Sequence, residues 1–212
     1  MENLNNILIV GSHFDDAELG VGGAAARLAE QGKNVYKLTL TDNETHSERL
    51  KLKIDYESSK SQSAQACNIL GVKEIDFAPV KCSRLRYDKE IMQRVEAIIF
   101  ERHIDTVFMH FMDDSNQDHV EASRICKTAA RHCQNLLAYQ SNLYVTTIAF
   151  HPTFYVDISG YIGKKEAALA RYQGHHNRFD RLFETTLMRN RTWGYSQKVE
   201  YAEAFQVIKL LY

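Results

Sequence analysis

At 212 residues the chain has the length of one α/β domain. Hydrophobic residues at 44% and charged residues at 25% match a soluble globular composition and exclude a disordered or collagen-like chain. Lys and Arg number 26 against 27 Asp and Glu, a net charge of -1, so no basic excess points to nucleic acid or to an anionic membrane surface.

The apolar run Ile7 to Val10 is too short for a secretory leader, and nothing approaches the ~20 residues of a membrane span. Cys67, Cys82, Cys126 and Cys133 show no C-x-x-C spacing and read as reduced thiols of a cytoplasmic protein. Asn6 to Gly11 predicts a strand buried on both faces. Ala17 to Gln31 has helical apolar spacing, with Gly32 as its stop. A strand over 34–41 and a polar loop over 42–49 follow. Helices are expected over 56–70, stopped by Gly71, and over 88–100, with a short strand over 74–79 between them. A strand over 106–110 and a helix over 119–132 come next. Beyond residue 143 the spacing predicts strands over 143–150 and 153–158 and helices over 164–171 and 201–211.

Strand and helix repeating at this pitch predict a single α/β domain spanning 1–212. It should be Rossmann-like, with a mostly parallel sheet, helices on both faces and a C-terminal added layer from about residue 143. Gly20, Gly22 and Gly23 fall inside the first helix and do not form G-x-G-x-x-G, so they read as packing residues.

Two clusters carry candidate chemistry. His13-Phe14-Asp15-Asp16-Ala17-Glu18 lies where the first strand ends and the first helix begins, the rim on which ligands bind in open α/β sheets. Helix capping accounts for one of its acids, but not for the histidine beside them. Asp113-Asp114-Ser115-Asn116-Gln117-Asp118-His119 follows the strand over 106–110 and precedes a helix, on the same rim if the two strands are neighbours. Two imidazoles, one carboxylate and an open position would suit a catalytic zinc. His110 is worth attention because it ends the same strand.

These residues resemble the PIG-L/LmbE-like zinc-dependent N-deacetylases. His13-Phe14-Asp15-Asp16-Ala17-Glu18 is similar to that family's HPDD(D/E)-type motif, with Phe14 in place of the usual Pro, and Gln117-Asp118-His119 to its later P-D-H element. Likeness continues through Leu19-Gly20-Val21-Gly22-Gly23, Leu40-Thr41-Asp42, Ile69-Leu70-Gly71-Val72 and Glu200-Tyr201-Ala202-Glu203-Ala204-Phe205. The resemblance implies zinc ligation by His13, Asp16 and His119, with Asp15 as general base. It also implies removal of an N-acyl, chiefly N-acetyl, group from an amino sugar, sugar conjugate or nucleotide sugar. Asp118 is assigned a catalytic role, as a positioner of His119.

The chain departs from the family at Asn116, where many relatives carry His, and an amide cannot titrate near neutral pH. Asn116, His175 and His176 are the candidate substrate contacts. Relatives often carry Arg and Glu where this chain has Ser59 and Gln62, with Arg49 or Lys60 as spatial substitutes. Between Lys164 and Arg191 seven Lys and Arg face three acids, a possible basic rim for a phosphate. The alternatives are a metal-dependent amide hydrolase acting on a non-sugar metabolite or antibiotic, and a non-catalytic nucleotide or sugar-phosphate binding domain. The expected partner is a small N-acylated molecule, without nucleic acid or membrane span, and a homo-oligomer is compatible with the resemblance.

Overall fold

In the computed structural model, which describes residues 4–48, 52–144, 146–172 and 181–211, β1 (Asn6–Gly11) carries alternate side chains into two separate cores. Ile7 and Ile9 pack on one face of the sheet, Leu8 and Val10 on the other. A strand buried on both faces has no polar side to present, which is why the run reads as continuously apolar.

Around β1 the sheet grows in both directions. β2 (Asn34–Thr39) pairs parallel on one side, followed by the two-residue β5 (Lys73–Glu74). β6 (Thr106–His110) pairs parallel on the other side, followed by β7 (Asn135–Tyr139). β9 (Ala202–Lys209) and β8 (Phe154–Asp157) complete the sheet antiparallel, giving the order β5-β2-β1-β6-β7-β9-β8. The mostly parallel Rossmann-like expectation therefore holds. The chain leaves β1 toward β2 but returns to β6 on β1's opposite side, so a topological switch point opens between the carboxyl ends of β1 and β6.

Helices cover both faces. α1 (Asp16–Glu30), α2 (Tyr56–Leu70) and α5 (Ile162–Leu169) contribute Val21, Ala24, Leu28, Ala66, Leu70 and Ala168 to the Ile7 core. α3 (Lys89–Glu101) and α4 (Gln117–Ala129) bring Val95, Ile99, Ala122 and Ile125 to the Leu8 core. Gly20 and Gly23 explain the close seat of α1. A Cβ on Gly20 would stand 2.1 Å from the Tyr139 ring, and one on Gly23 would stand 2.8 Å from Ile158. No helix among the described residues is long and apolar enough to cross a membrane.

Several expectations are corrected. The stretch 201–211 holds the strand β9, not a helix: the edges of β7 and β8 satisfy its backbone, outweighing the helical propensity of its Ala and Glu. The strand expected over 143–150 is irregular where described; β7, which sequence spacing missed, holds the sheet position instead. The loop over 42–49 contains β3 (Thr45–Ser47), which pairs antiparallel with β4 (Leu52–Ile54). The strand over 74–79 shrinks to β5, and α6 (Leu182–Ser196), also missed, packs against β9. The region after 143 thus adds two strands to the same sheet and sets α5 against α1 and α2.

Candidate active site

The turn Ser12–Asp15 leaves β1 and enters α1, and its backbone is fixed by buried partners. Thr41 holds the Ser12 carbonyl through its amide at 3.0 Å and its hydroxyl at 2.7 Å, while Ser12 Oγ donates to the Asp118 carbonyl at 2.9 Å. The Phe14 carbonyl accepts from Lys37 Nζ at 2.5 Å and from Tyr172 OH at 2.8 Å. Lys37 is buried, and its charge is met by Glu18 at 2.7 Å. Glu18 is therefore a structural partner of Lys37 and stands apart from the candidate ligands.

Asp16 closes the turn. Its Oδ2 accepts from the Ser12 amide at 3.0 Å and the His13 amide at 2.8 Å, and His110 Nε2 lies 3.1 Å from it. The Ser12 amide also reaches His110 Nε2, at 3.2 Å. Burial pushes the Asp16 pKa up, but the facing His119 and His110 outweigh it and hold the group well below the usual carboxylate range.

Because β1 and β6 are neighbours, the two clusters meet. His13 Nδ1 lies 3.2 Å from His119 Nε2 and 3.4 Å from Asp16 Oδ2, and His119 Nε2 lies 3.3 Å from Asp16 Oδ1. A tetrahedral zinc with bonds of about 2.0–2.1 Å keeps its donors about 3.3–3.4 Å apart; the His13–His119 and His119–Asp16 Oδ1 separations match that spacing, while the 3.4 Å to His13 is measured from the other Asp16 oxygen. Two imidazole nitrogens and one carboxylate oxygen are also the donor set that leaves a coordination position open.

Each histidine's other nitrogen faces a carboxylate. His119 Nδ1 donates to Asp114 Oδ2 at 2.9 Å, and Asn142 Nδ2 braces the same oxygen at 3.1 Å. His13 Nε2 stands 3.4 Å from Asp118 Oδ2. Asp118 thus addresses His13, and Asp114, given no separate role in the sequence reading, does for His119 what had been expected of Asp118. Both rings thus turn their remaining nitrogen toward Asp16. Burial lowers the pKa of each, but Asp16 and Asp114 lift His119 to about 9, and Asp118 and Asp16 lift His13 well above the ordinary imidazole value. Burial, aided by the charge of His119, lowers that of His110.

Asp15 is 5% exposed, and its side chain makes no cap hydrogen bond to α1, so the capping account does not apply to it. Asn116 is the N-cap of α4, its Oδ1 accepting from the Asp118 amide at 3.0 Å. His175, His176 and Arg49 lie outside the described residues. Ser59 is buried and accepts from Asn43 Nδ2 at 3.2 Å, while Lys60 pairs with Asp76 at the surface. Two members of the expected basic rim are turned inward: Lys165 is buried against Glu203 at 2.6 Å, and Arg189 against the Asn142 and Gln140 carbonyls. His110 was legible as a strand end. Asp114 and Asn142 were not, because nothing in the spacing marks which acid braces which ring.

The model of the PIG-L family, described as GlcNAc-PI de-N-acetylase, matches residues 8–130. An uncharacterized deacetylase of Escherichia coli K12, YaiS, is 27% identical over 176 residues, covering 79% of this chain and 90% of that protein. Diacetylchitobiose deacetylase of Thermococcus kodakarensis is 24% identical over 198 residues, covering 84% and 71% respectively. The solved structure of GalB, a 4-carboxy-2-hydroxymuconate hydratase of Pseudomonas putida, superposes with a TM-score of 0.80 at 20% identity, covering 99% of this chain and 98% of that one. That last likeness speaks to the fold alone, since one fold hosts different reactions. With a family model spanning more than half of its length and deacetylases among its relatives, the chain belongs to the PIG-L family and is a deacetylase.

Proposed function

We propose that this chain is a cytoplasmic zinc-dependent hydrolase that removes the N-acetyl group of an amino sugar or sugar conjugate. In this reading His13, Asp16 and His119 hold the ion. The observation that supports it most is the paired arrangement of His13 and His119, each with one nitrogen turned to a carboxylate and the other to Asp16. Zinc, when bound, supplies Lewis acidity toward the amide oxygen and acidifies the attacking water.

The chain's own residues do the rest. Asp15, next in sequence to a proposed ligand and at the N-terminal end of α1, takes a proton from water as the water oxygen adds to the amide carbon. It then returns that proton to the departing nitrogen, so the C–N bond breaks to a free amine and acetate without a second titrating group. That economy suits a chain with Asn116 where relatives often have His. With its Oδ1 committed to the α4 cap, Asn116 offers substrate its amide nitrogen as a hydrogen-bond donor. Asp118 fixes the His13 ring. His175 and His176 remain proposed substrate contacts.

The experiment is metal analysis and acetate release on the Asp15→Asn variant, over a panel of N-acetylated sugars, nucleotide sugars and non-sugar amides. Zinc content should stay near one equivalent, while acetate release falls about 10²–10⁴-fold. Retained turnover would remove the base role, and release only from non-sugar amides would replace the substrate class.

A further inference from the structure

A thiol stands near the His13 ring and the Asp118 carboxylate. Cys82 Sγ, a ring nitrogen of His13 and a carboxylate oxygen of Asp118 all lie within 4.8 Å of one another, and Cys82 is half-buried. Asp118 is 1% exposed, and among the described residues its Oδ1 makes no hydrogen bond of normal geometry. A buried carboxylate oxygen left unpaired is costly, and a cation is one group that would satisfy it.

The loop that carries the thiol is held in place from three directions. Asp42 Oδ1 accepts from the Cys82 amide at 2.8 Å, Asp118 Oδ2 accepts from the Ser83 amide at 2.7 Å, and Gln117 Nε2 donates to the Ser83 carbonyl at 2.7 Å. Ser83 has φ +62°, a left-handed conformation that a residue with a Cβ adopts only where its surroundings enforce it. Two of these three bonds come from Gln117 and Asp118 at the start of α4, so the element that positions His119 also positions Cys82.

We propose that Cys82, His13 and Asp118 form a second cation site, suited to a thiophilic divalent metal such as Zn2+ or Cd2+, which shares the His13 ring with the first. One sulfur, one imidazole nitrogen and one carboxylate oxygen are borderline-soft donors that favour such ions over Mg2+ or Ca2+. The sharing rests on the proposed function, in which Nδ1 of His13 serves the first site; the Cys82 site does not depend on it. Binding there releases the thiol proton to solvent, and with Nδ1 of His13 on the first ion also the proton of Nε2, and takes over the carboxylate that orients His13. Excess metal therefore weakens the first site.

The full chain, stripped of metal and reduced, is titrated with Co2+ and with Cd2+. A thiolate-to-metal charge-transfer absorption is expected in the native protein and in His119→Ala, but not in Cys82→Ser. Cys82→Ser should keep the visible Co2+ bands of a first equivalent. Cd2+ should also slow iodoacetamide labelling of Cys82 at least severalfold, read by mass spectrometry. Cys67, Cys126 and Cys133 serve as internal controls, since burial pushes their thiols up to about 12, 12 and 11. The absence of charge transfer in the native protein at excess metal, or labelling of Cys82 unaffected by Cd2+, overturns the second site. If instead His119→Ala binds as much metal as the native protein while the thiolate band persists, the first site fails and the second stands.

Discussion

His119 Nδ1 donates to Asp114 Oδ2 at 2.9 Å, and that single bond decides which of the ring's nitrogens faces Asp16. Removing the acceptor frees the ring to take the other tautomer or to rotate. Asp114→Ala should lower zinc affinity about 10–100-fold, measured by competition with a chelator. Asp114→Asn, which keeps an accepting oxygen, should lose less. Affinity equal to that of the native protein in both variants would show that Asn142 alone suffices to hold the ring.

The same cluster makes the metal-free protein sensitive to alkali. Its His119 has a folded-state pKa of about 9, above the ordinary value of about 6.5. A raised pKa contributes stability that is fully present below about pH 6.5 and is lost as pH rises through about 9. The urea midpoint of metal-free protein should therefore fall over that interval. Zinc-saturated protein should fall less, because the metal replaces the proton. A metal-free midpoint that does not move with pH would contradict the assignment.

Gly20 should tolerate no side chain. A Cβ would meet the Tyr139 ring at 2.1 Å, and Tyr139 is fully buried with its hydroxyl donating to the Val10 carbonyl at 2.9 Å. Gly20→Ala should cost about 1–3 kcal/mol in urea unfolding through overpacking. Gly160→Ala, with nothing within 4 Å of its added Cβ, is the control and should change stability little.

Lys37 offers a different test, of a buried charge rather than a buried ring. It serves Glu18, the Phe14 carbonyl, Ser63 Oγ and Tyr172 OH at once. Lys37→Met should cost about 3–5 kcal/mol, because Glu18 is left buried and unpaired. Lys37→Met combined with Glu18→Leu should recover part of that loss in a double-mutant cycle. Strict additivity of the two single effects would mean that the pair does not interact energetically.

The two-faced strand β1, the helix spacing of α1 to α4 and the placement of both clusters at strand ends were legible in the chain, because apolar period and strand-to-helix junctions are local properties. So were His13, Asp16 and His119 as candidates. What spacing could not give was partnership. β9 reads locally as a helix and becomes a strand only because two strand edges await it. Lys37 and Lys165 are each buried against a carboxylate from another element, a pairing that no spacing marks. The sequence by itself determined an α/β alternation and an acid- and histidine-rich rim. Only the tertiary structure decided that β1 lies beside β6, that Asp114 holds His119 while Asp118 faces His13, and that Cys82 comes near the same ring. The physical reason is that strand neighbours and their side-chain partners are set by where the folded chain brings segments together, 106 positions apart for His13 and His119 and only 5 for His119 and Asp114, which no local pattern encodes.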